Sequence, residues 1–321
     1  MNILVTGGAG FIGSHVVDAF RELGHTVHVL DDLSTGRRAN LPVDVPLHEA
    51  SICAPRVRQI FEQHRFEVLV HHAAQLDVRV SVNDPAADAE INILGFLNLM
   101  EAGRDNGLQK VIFASTGGAI YGEPEYVGQD EDHPIRPLSP YGITKLATEK
   151  YLDFYRHAYG IDHVCLRYAN VYGPRQGLTG EAGVVAIFTQ RLLRGETPII
   201  YGDGQQTRDF TYVGDVVRAN CKALEYQGSG VFNIGTNQET SIRHLYQVIE
   251  TEFEHHTPPR YARSRPGEQE RSVLSYDRAA RELDWEPGIG LKAGISQTVA
   301  WFRSFEEETP SCTTSSPVIS P

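Results

Sequence analysis

The sequence predicts an α/β fold with a doubly wound parallel sheet and a smaller, partly interleaved C-terminal α/β substrate lobe. Three observations predict it: strand-like and helix-like segments alternate through the first half, glycines follow two of the helices, and the pattern loosens after about residue 172. Such alternation favours parallel strands joined by right-handed helical crossovers on both faces of the sheet. We expect a sheet domain at residues 1–172, a lobe at 173–304 from which some segments return to the sheet, and a flexible tail at 305–321.

The first half contains five short apolar segments with the composition of buried strands, at residues 2–6, 26–30, 68–70, 111–115 and 163–167. Four amphipathic segments are long enough for helices, at residues 12–23, 56–64, 85–106 and 141–159. Gly24 and Gly107 stand just beyond two of these helices, where a left-handed residue commonly ends a helix. The first half therefore supplies the strand–helix repeats of the sheet.

The second half predicts shorter elements separated by polar, glycine-rich loops such as "YGPRQGLTGEAG" and "YGDGQQTRDF". We expect strands at residues 198–201 and 231–234, and helices at residues 182–193, 213–224 and 242–253. From Glu306 onward few residues could pack, so we expect this end to fray.

Composition indicates a globular protein with 41% hydrophobic and 22% charged residues. The net charge of −12 argues against nucleic acid or anionic membranes as partners. No apolar run approaches the roughly 20 residues of a membrane span, and the N-terminus lacks a signal peptide. The four cysteines, Cys53, Cys165, Cys221 and Cys312, are scattered, which is typical of free thiols. We therefore expect a cytoplasmic protein.

A glycine-rich segment, "TGGAGFIG", joins the first strand to the first helix and places glycines at positions 7, 10 and 13. This context is that of a dinucleotide-binding loop, in which the glycines allow a tight turn and close approach of the backbone to a pyrophosphate. Asp31 ends the next strand, where a carboxylate accepts the ribose hydroxyls of NAD and repels the 2′-phosphate of NADP. The sequence therefore predicts a Rossmann-like domain that binds NAD.

A tyrosine–lysine pair supplies the predicted chemistry. In "SPYGITKLATEK", Tyr141 and Lys145 are four residues apart on a predicted helix and so share one face. Tyrosine has a pKa near 10, but an adjacent ammonium favours the phenolate, which is a usable base. Ser115 and Thr116 stand at the carboxyl end of the fourth strand, where such sheets bind ligands, and could share a proton with a substrate hydroxyl.

The combined motifs resemble those of the extended short-chain dehydrogenase/reductase family. They are "TGGAGFIG", "HHAAQ", "STGGAIYG", "YGITK", "RYANVYGPRQ", "GDGQQTRDFTYVGDVVRA" and "FNIGT", and the likeness spans roughly residues 1–304. Within the family, they are most similar to bacterial and archaeal UDP-glucose 4-epimerases. Two positions depart from the usual pattern: Gly117 replaces a third hydroxyl residue, and Ser51 precedes Ile52 where many members have aspartate.

The resemblance implies an NAD-dependent isomerase that interconverts UDP-glucose and UDP-galactose through a transient 4-keto sugar, works as a homodimer and keeps its NAD bound. Tyr141 would be the base, Lys145 would tune it, and Thr116 helped by Ser115 would relay the proton. The implied cofactor-binding residues are Gly7, Gly10, Phe11, Ile12, Gly13, Asp31, Asp32, Ser34, Thr35, Gly36, Ser51, Ile52, Ala73, Ala74, Gln75, Asn92, Ser115, Tyr141, Lys145 and Tyr168. The implied substrate-binding residues are Thr116, Asn170, Gly183, Val184, Ile199, Tyr201, Arg208, Arg265 and Glu268.

Several alternatives remain open. A UDP-glucuronate 4-epimerase or decarboxylase would favour a cation near Gly177, and a 4,6-dehydratase would need acids after Thr116. A non-catalytic NAD-binding sensor typically lacks the tyrosine or the lysine. A small residue at Ser272 leaves room for an acetamido group, so UDP-GlcNAc and UDP-GalNAc are candidate substrates too.

Two histidine pairs, at positions 71–72 and 255–256, lack the spacing of metal ligands. We therefore predict no metal site.

Overall fold

A computed structural model of the chain describes residues 1–177, 183–264 and 269–308, with the side chains of 306–308 excepted. Its centre is a parallel sheet of seven strands, whose order across the sheet is β3-β2-β1-β4-β5-β6-β11. These strands are β1 (Asn2–Thr6), β2 (Thr26–Asp31), β3 (Leu47–Glu49), β4 (Val68–His71), β5 (Lys110–Thr116), β6 (Asp162–Tyr168) and β11 (Gly230–Ile234). The strand order reverses between β1 and β4, which is where doubly wound sheets bind ligands.

Helices cover both faces of the sheet. Those of the first half are α1 (Phe11–Glu22), α2 (Arg56–His64), α3 (Val78–Asn83), α4 (Pro85–Ala89), α5 (Phe96–Asp105), α6 (Gly117–Ile120) and α7 (Pro140–Tyr159). A π-helical segment, Glu90–Gly95, joins α4 to α5, and Arg38–Asn40 forms one 3₁₀ turn. Phe20 lies in the core on one face of the sheet, and Phe61 and Leu152 lie in the core on the other.

The second half forms a smaller lobe with a core of its own, which includes Tyr172, Phe188 and Leu245. Its elements are β7 (Asn170–Tyr172), α8 (Val184–Leu193), β8 (Ile199–Tyr201), β9 (Thr207–Arg208), β10 (Phe210–Tyr212), β12 (Thr240–Ser241), α10 (Ile242–Glu250), β13 (Arg260–Ala262) and α12 (Leu291–Glu308). The helices α9 (Val213–Glu225) and α11 (Asp277–Leu283) come from the same half of the chain but pack on the main sheet, in the core that includes Phe20. Strands β7 and β10 pair in parallel, as do β8 and β13, whereas β9 and β12 are antiparallel.

The predicted doubly wound fold is confirmed, and each of the five strands predicted in the first half is present within one residue of its expected ends. Gly24 and Gly107 have φ angles of +81° and +88°, as residues that end helices do. The prediction of a single helix at 85–106 is wrong in one respect, because the π-helical segment interrupts that helix. Strand β3 escapes prediction since it has only three residues.

The last helix takes in residues 305–308, which the sequence predicts as the start of a tail. The Phe305 ring stacks on Trp301 one turn earlier, with centroids 5.0 Å apart, and the Arg37 guanidinium lies 5.2 Å from the Phe305 ring centroid. These contacts stabilise the helix beyond residue 304. The rest of the predicted tail, residues 309–321, lies outside the described residues.

None of the helices in the described part of the chain is long and apolar enough to cross a membrane.

Candidate active site

The loop between β1 and α1 runs against the carboxyl end of β4. Gly7 has a φ of +68°, and a Cβ at this position would lie 2.6 Å from the backbone nitrogen of Ala73. A Cβ on Gly13 would lie 2.2 Å from the Gly7 carbonyl oxygen, so α1 packs directly on the loop. Gly10 precedes α1, and no side chain in the described residues caps this helix. The backbone N–H groups of its first turn can therefore serve an anionic ligand.

Asp31 ends β2 beside this loop and is 8% exposed. Its carboxylate accepts hydrogen bonds from the backbone N–H groups of Ala9 and Leu33, each at 2.9 Å. Burial raises the pKa of Asp31, and these hydrogen bonds oppose the increase. A Cβ on Gly36 would lie 2.8 Å from Oδ1 of Asp31, so the following loop also closes on the carboxylate. The acid is held in place at the position where NAD-binding folds hold the adenosine ribose.

Other predicted cofactor-binding residues surround this loop. Asp32 accepts the backbone N–H and the hydroxyl of Ser34, at 3.0 and 2.6 Å. Ile52 is buried and fills the space beside Gly95, where a Cβ would meet it at 2.8 Å. Four others are placed as follows: Ser51 accepts the Cys53 N–H, Thr35 is exposed, and Phe11 and Ile12 pack against the core of the second lobe.

The loop after β4, which contains Ala73, Ala74 and Gln75, is tied to the π-helical segment. The Asn92 amide accepts the backbone N–H of Gln75 at 3.0 Å and donates to its carbonyl at 2.9 Å. The fully buried Asp88 accepts from the Gln75 amide at 2.9 Å, from the Asn92 amide at 3.1 Å and from the Thr144 hydroxyl at 2.8 Å. Sequence reasoning missed Asp88, although its spacing of four from Asn92 on a predicted helix was a usable signal.

Tyr141 and Lys145 lie in the first turns of α7, whose start Ser139 caps by accepting the N–H of Gly142 at 3.2 Å. The Lys145 Nζ is 5.8 Å from the centre of the Tyr141 ring and donates to the Ala114 carbonyl at 2.9 Å. Lys145 is only 4% exposed, and this burial lowers its pKa to about 8. The amine is thus mostly protonated at pH 7 and stands beside the tyrosine ring.

Ser115 and Thr116 end β5, and successive side chains of a strand point to opposite faces. The Ser115 hydroxyl donates to Glu149 at 2.6 Å in a buried contact, so its proton is already engaged. Thr116 immediately precedes α6 and has no such contact with Glu149 among the described hydrogen bonds. The hydroxyls of Ser115 and Thr116, which are predicted to relay the proton together, therefore have different surroundings.

Glu149 belongs to a buried network that sequence reasoning missed. Its carboxylate accepts from Arg167 Nε at 3.0 Å and Nη2 at 2.7 Å. Arg167 also donates to the Tyr121 hydroxyl at 2.8 Å, and this hydroxyl donates to Asn233 on β11 at 2.8 Å. Glu149 stands four residues after Lys145 and eight after Tyr141, so its helical spacing was a usable signal.

Of the adjacent histidines of "HHAAQ", His71 is buried in the core and His72 is partly buried beside Tyr168. His71 bonds the Thr6 hydroxyl at 2.7 Å, and His72 lies 3.3 Å from the hydroxyl of Tyr168. Burial lowers the pKa of His72 to about 3 and that of His71 well below its usual range, so both are neutral. Tyr168 is also buried, which raises its pKa, and its hydroxyl accepts from Asn220 at 2.9 Å.

The predicted substrate-binding residues come from separate segments of the second lobe. Arg208 lies in β9 and donates to the Thr207 carbonyl at 2.8 Å. Asn170 is exposed on β7, and Gly183 precedes α8 at a position where a Cβ would lie 2.4 Å from the Gln176 amide. Val184 begins α8, Ile199 and Tyr201 begin and end β8, and Arg265 and Glu268 lie outside the described residues.

A buried acid, Asp209, joins the second lobe to the catalytic strand end. It accepts from the backbone N–H of Thr236 at 2.9 Å and from its hydroxyl at 2.6 Å, and from the Leu274 N–H at 3.2 Å. Burial raises the pKa of Asp209 to about 6. Leu274 in turn packs on Gly117, where a Cβ would lie 2.4 Å from its Cδ1. The segment around Leu274 is therefore fixed against the loop that follows Thr116.

The chain is similar to several known proteins. Residues 3–235 match the family described as the NAD dependent epimerase/dehydratase family. The UDP-glucose 4-epimerase of Mycolicibacterium smegmatis is 44% identical over 310 residues, which cover 95% of this chain and 99% of that protein. The crystal structure of UDP-glucose 4-epimerase from Thermotoga maritima with UDP-glucose has 49% identity and a TM-score of 0.93, covering 95% of this chain and 99% of its own. That of the Thermus thermophilus enzyme with NAD has 45% identity and a TM-score of 0.89, covering 94% and 99%.

Proposed function

The chain belongs to the NAD dependent epimerase/dehydratase family, and from this premise we propose that it is a UDP-hexose 4-epimerase that interconverts UDP-glucose and UDP-galactose. The observation that carries the proposal is the position of Tyr141 and Lys145. The pair stands at the carboxyl ends of the strands, with Nζ of Lys145 5.8 Å from the Tyr141 ring centre. A base placed there can serve the oxidation and reduction of a hydroxyl-bearing carbon.

The residues at the place where the strand order reverses, between β1 and β4, fit NAD. A side chain at Gly7 would collide with Ala73, and this bare backbone leaves a cradle for a pyrophosphate. Asp31 is held in place to accept ribose hydroxyls. NAD, when bound, supplies an acceptor for the hydride of the sugar C4 and a donor that returns it.

Tyr141 accepts the proton of the sugar 4-hydroxyl on its phenolate oxygen and gives it back when the 4-keto group is reduced. Lys145 favours the phenolate, because a protonated amine beside the ring stabilises negative charge. Thr116 passes the proton between the sugar and Tyr141. The sugar turns over between the two half-reactions, so that the hydride returns to the opposite face.

Ser115 acts as a positioning residue in this proposal. Its hydroxyl bonds Glu149 at 2.6 Å, and Glu149 also pairs with Arg167. The network holds the end of β5 and helix α7 in one register, which fixes the distance from Thr116 to Tyr141.

The sugar nucleotide is held by the second lobe. The guanidinium of Arg208 suits a diphosphate, because its planar donors match phosphate oxygens. We propose that Asn170, Gly183, Tyr201 and Arg265 complete this side, with Val184, Ile199 and Glu268 as further contacts.

The packing of Gly117 argues against the dehydratase alternative. A 4,6-dehydratase would need an acid after Thr116, but a Cβ at Gly117 would lie 2.4 Å from Leu274. Gly177 offers no cation for a uronate, which weighs against a UDP-glucuronate epimerase or decarboxylase. A non-catalytic sensor would not need the retained Tyr141 and Lys145.

We also propose that the enzyme is a homodimer that works in the cytoplasm, in galactose metabolism. Apolar side chains on α3, on the π-helical segment and on α7 support the dimer: Val82, Leu94, Ile143 and Phe154 are 49% to 60% exposed. The described cysteines Cys53, Cys165 and Cys221 are free, in keeping with a reducing compartment. Light scattering of the purified protein tests the dimer, and a Phe154→Asp variant should shift it towards monomer.

The proposed activity is tested by incubating the protein with UDP-galactose and no added NAD, and measuring UDP-glucose. We expect conversion to the equilibrium mixture, because the cofactor is regenerated in each cycle. No UDP-glucose from protein shown to contain NAD would contradict the proposal.

A further inference from the structure

Three histidines converge at the outer edge of the main sheet, away from the site described above. They are His28 in the middle of β2, His48 in the edge strand β3 and His64, the last residue of α2. One ring nitrogen from each lies within 4.8 Å of the corresponding nitrogens of the other two. The three histidines lie on three separate elements, so no spacing in the sequence indicates the cluster, and the sequence predicts no metal site.

The spacing of the rings is close to that of metal ligands. The Nδ1 of His28 and the Nε2 of His48 are 3.0 Å apart. Two nitrogens bound to one tetrahedral zinc ion, each about 2.0–2.1 Å from it, are about 3.4 Å from each other. The ring of His64 completes a triangle, with its centroid 4.5 Å from that of His28 and 5.0 Å from that of His48. Small side-chain rotations would bring three nitrogens around one ion.

The charge state of the cluster also suits a metal. Burial and the neighbouring rings lower the pKa of His28 to about 4 and also lower that of His48. Histidine binds metals as the neutral imidazole, and a lowered pKa favours that form. His64 ends α2, where the helix carbonyls favour a cation. The positive charge of Arg56 is near His48 and disfavours a second cation there. The Arg56 guanidinium donates to the Glu49 carbonyl at 3.2 Å.

Solvent can reach the histidine cluster from its outer side. His28 is 8% exposed, whereas His48 and His64 are half-buried, so an ion has access from solvent. The ring of Phe66 packs against His28 and His64, with centroids 5.3 and 5.7 Å away, and closes the inner side. Three imidazoles and one water ligand form a set that zinc accepts readily.

We propose that His28, His48 and His64 bind a divalent transition-metal ion, with Zn²⁺ as the expected ion and water as the fourth ligand. His28 precedes Asp31 by three residues, which corresponds to roughly 10 Å along an extended strand. The ion therefore binds apart from the hydride chemistry and joins the three-residue edge strand β3 and the end of α2 to β2. Its effect is to stabilise this edge of the sheet.

The test is a Zn²⁺ titration of the full-length, chelator-treated protein by isothermal calorimetry, with the melting temperature measured with and without Zn²⁺. We expect one ion per chain and a higher melting temperature. His48→Gln and His64→Gln should each weaken binding at least about tenfold, because loss of a ligand exceeds the usual effect of an outer contact. They should also abolish the thermal shift.

The control is the double variant His255→Gln/His256→Gln, which removes an exposed histidine pair elsewhere and should bind Zn²⁺ as the parent does. Melting temperatures in the presence of chelator show whether each variant is folded. The proposal is overturned if the parent shows no saturable binding, if both triad variants bind like the parent, or if the control variant loses the ion.

Discussion

The proposed cofactor half and the proposed sugar half of the active site are built in different ways. In the cofactor half, Gly7 and Asp31 lie at strand ends of one parallel sheet and Asn92 lies in the π-helical segment, and each is fixed by contacts with its neighbours. In the sugar half, Arg208 and Tyr201 lie on strands of two or three residues that belong to separate two-stranded sheets. The cofactor half is therefore built on one large sheet, whereas the sugar half depends on packing between short, separate strands.

Buried contacts hold the end of β5. Glu149 and Arg167 join α7 to β6, Tyr121 extends the network to Asn233 on β11, and Leu274 packs on Gly117. Substitutions in either half, or in this network, should therefore have separable effects.

Tyr141→Phe should have the largest effect, because it removes the proton acceptor that both halves serve. We expect kcat to fall about 1,000-fold, within the range of general acid–base catalysis, while NAD stays bound. The measurement is epimerisation of UDP-galactose together with the NAD content of the protein. Tyr151→Phe, on the exposed side of the same helix, is the matched control. A Tyr141→Phe enzyme with near-normal kcat would refute the assigned base.

Glu149→Gln should break the buried network that joins α7 to β5 and β6. Arg167 would lose its buried counter-charge, which costs about 3–5 kcal/mol of the free energy of unfolding. Urea unfolding measures this loss, and Lys150→Gln, which removes an exposed pair with Asp153 on the same helix, should change stability by less than about 1 kcal/mol. Equal losses in the two variants would mean that the buried network contributes no more to the free energy of unfolding than an exposed ion pair does.

Asp31→Asn should affect only the cofactor half. We expect roughly ten- to hundredfold weaker NAD binding, because hydrogen bonds to a charged group contribute about 1.5–3 kcal/mol. The ratio of the affinity for NAD to the affinity for NADP should also decrease. Calorimetry of the NAD-depleted protein measures both, with exposed Asp44→Asn as the control. Unchanged NAD affinity would remove Asp31 from the proposed site.

Ser272→Tyr should give the smallest change and affect only the sugar half. Ser272 is small and 2% exposed, and it lies two residues before Leu274. If it leaves room for an acetamido group, the parent converts UDP-GlcNAc to UDP-GalNAc, and tyrosine lowers this activity about tenfold relative to that with UDP-glucose. The ratio of the two kcat/KM values is the measurement. No UDP-GalNAc from an active parent enzyme would contradict the assumption.

Much of the cofactor half could be predicted from sequence, because its signals are periodic and local. The glycine loop, Asp31 and the Tyr141–Lys145 spacing each lie within one strand or helix junction. Asp88 and Glu149 were missed because a single acid in a helix usually faces solvent, and only tertiary packing buries these two. Asp209 was missed for the same reason, since its partners Thr236 and Leu274 are far away in sequence.

In the proposed mechanism, the hydride leaves C4 of the sugar and returns to the same carbon without contact with solvent. UDP-galactose deuterated at C4 tests this in ordinary water, with the UDP-glucose formed examined by mass spectrometry and NMR. We expect deuterium to be retained at C4, now on the opposite face. Replacement of the deuterium by solvent hydrogen would contradict it.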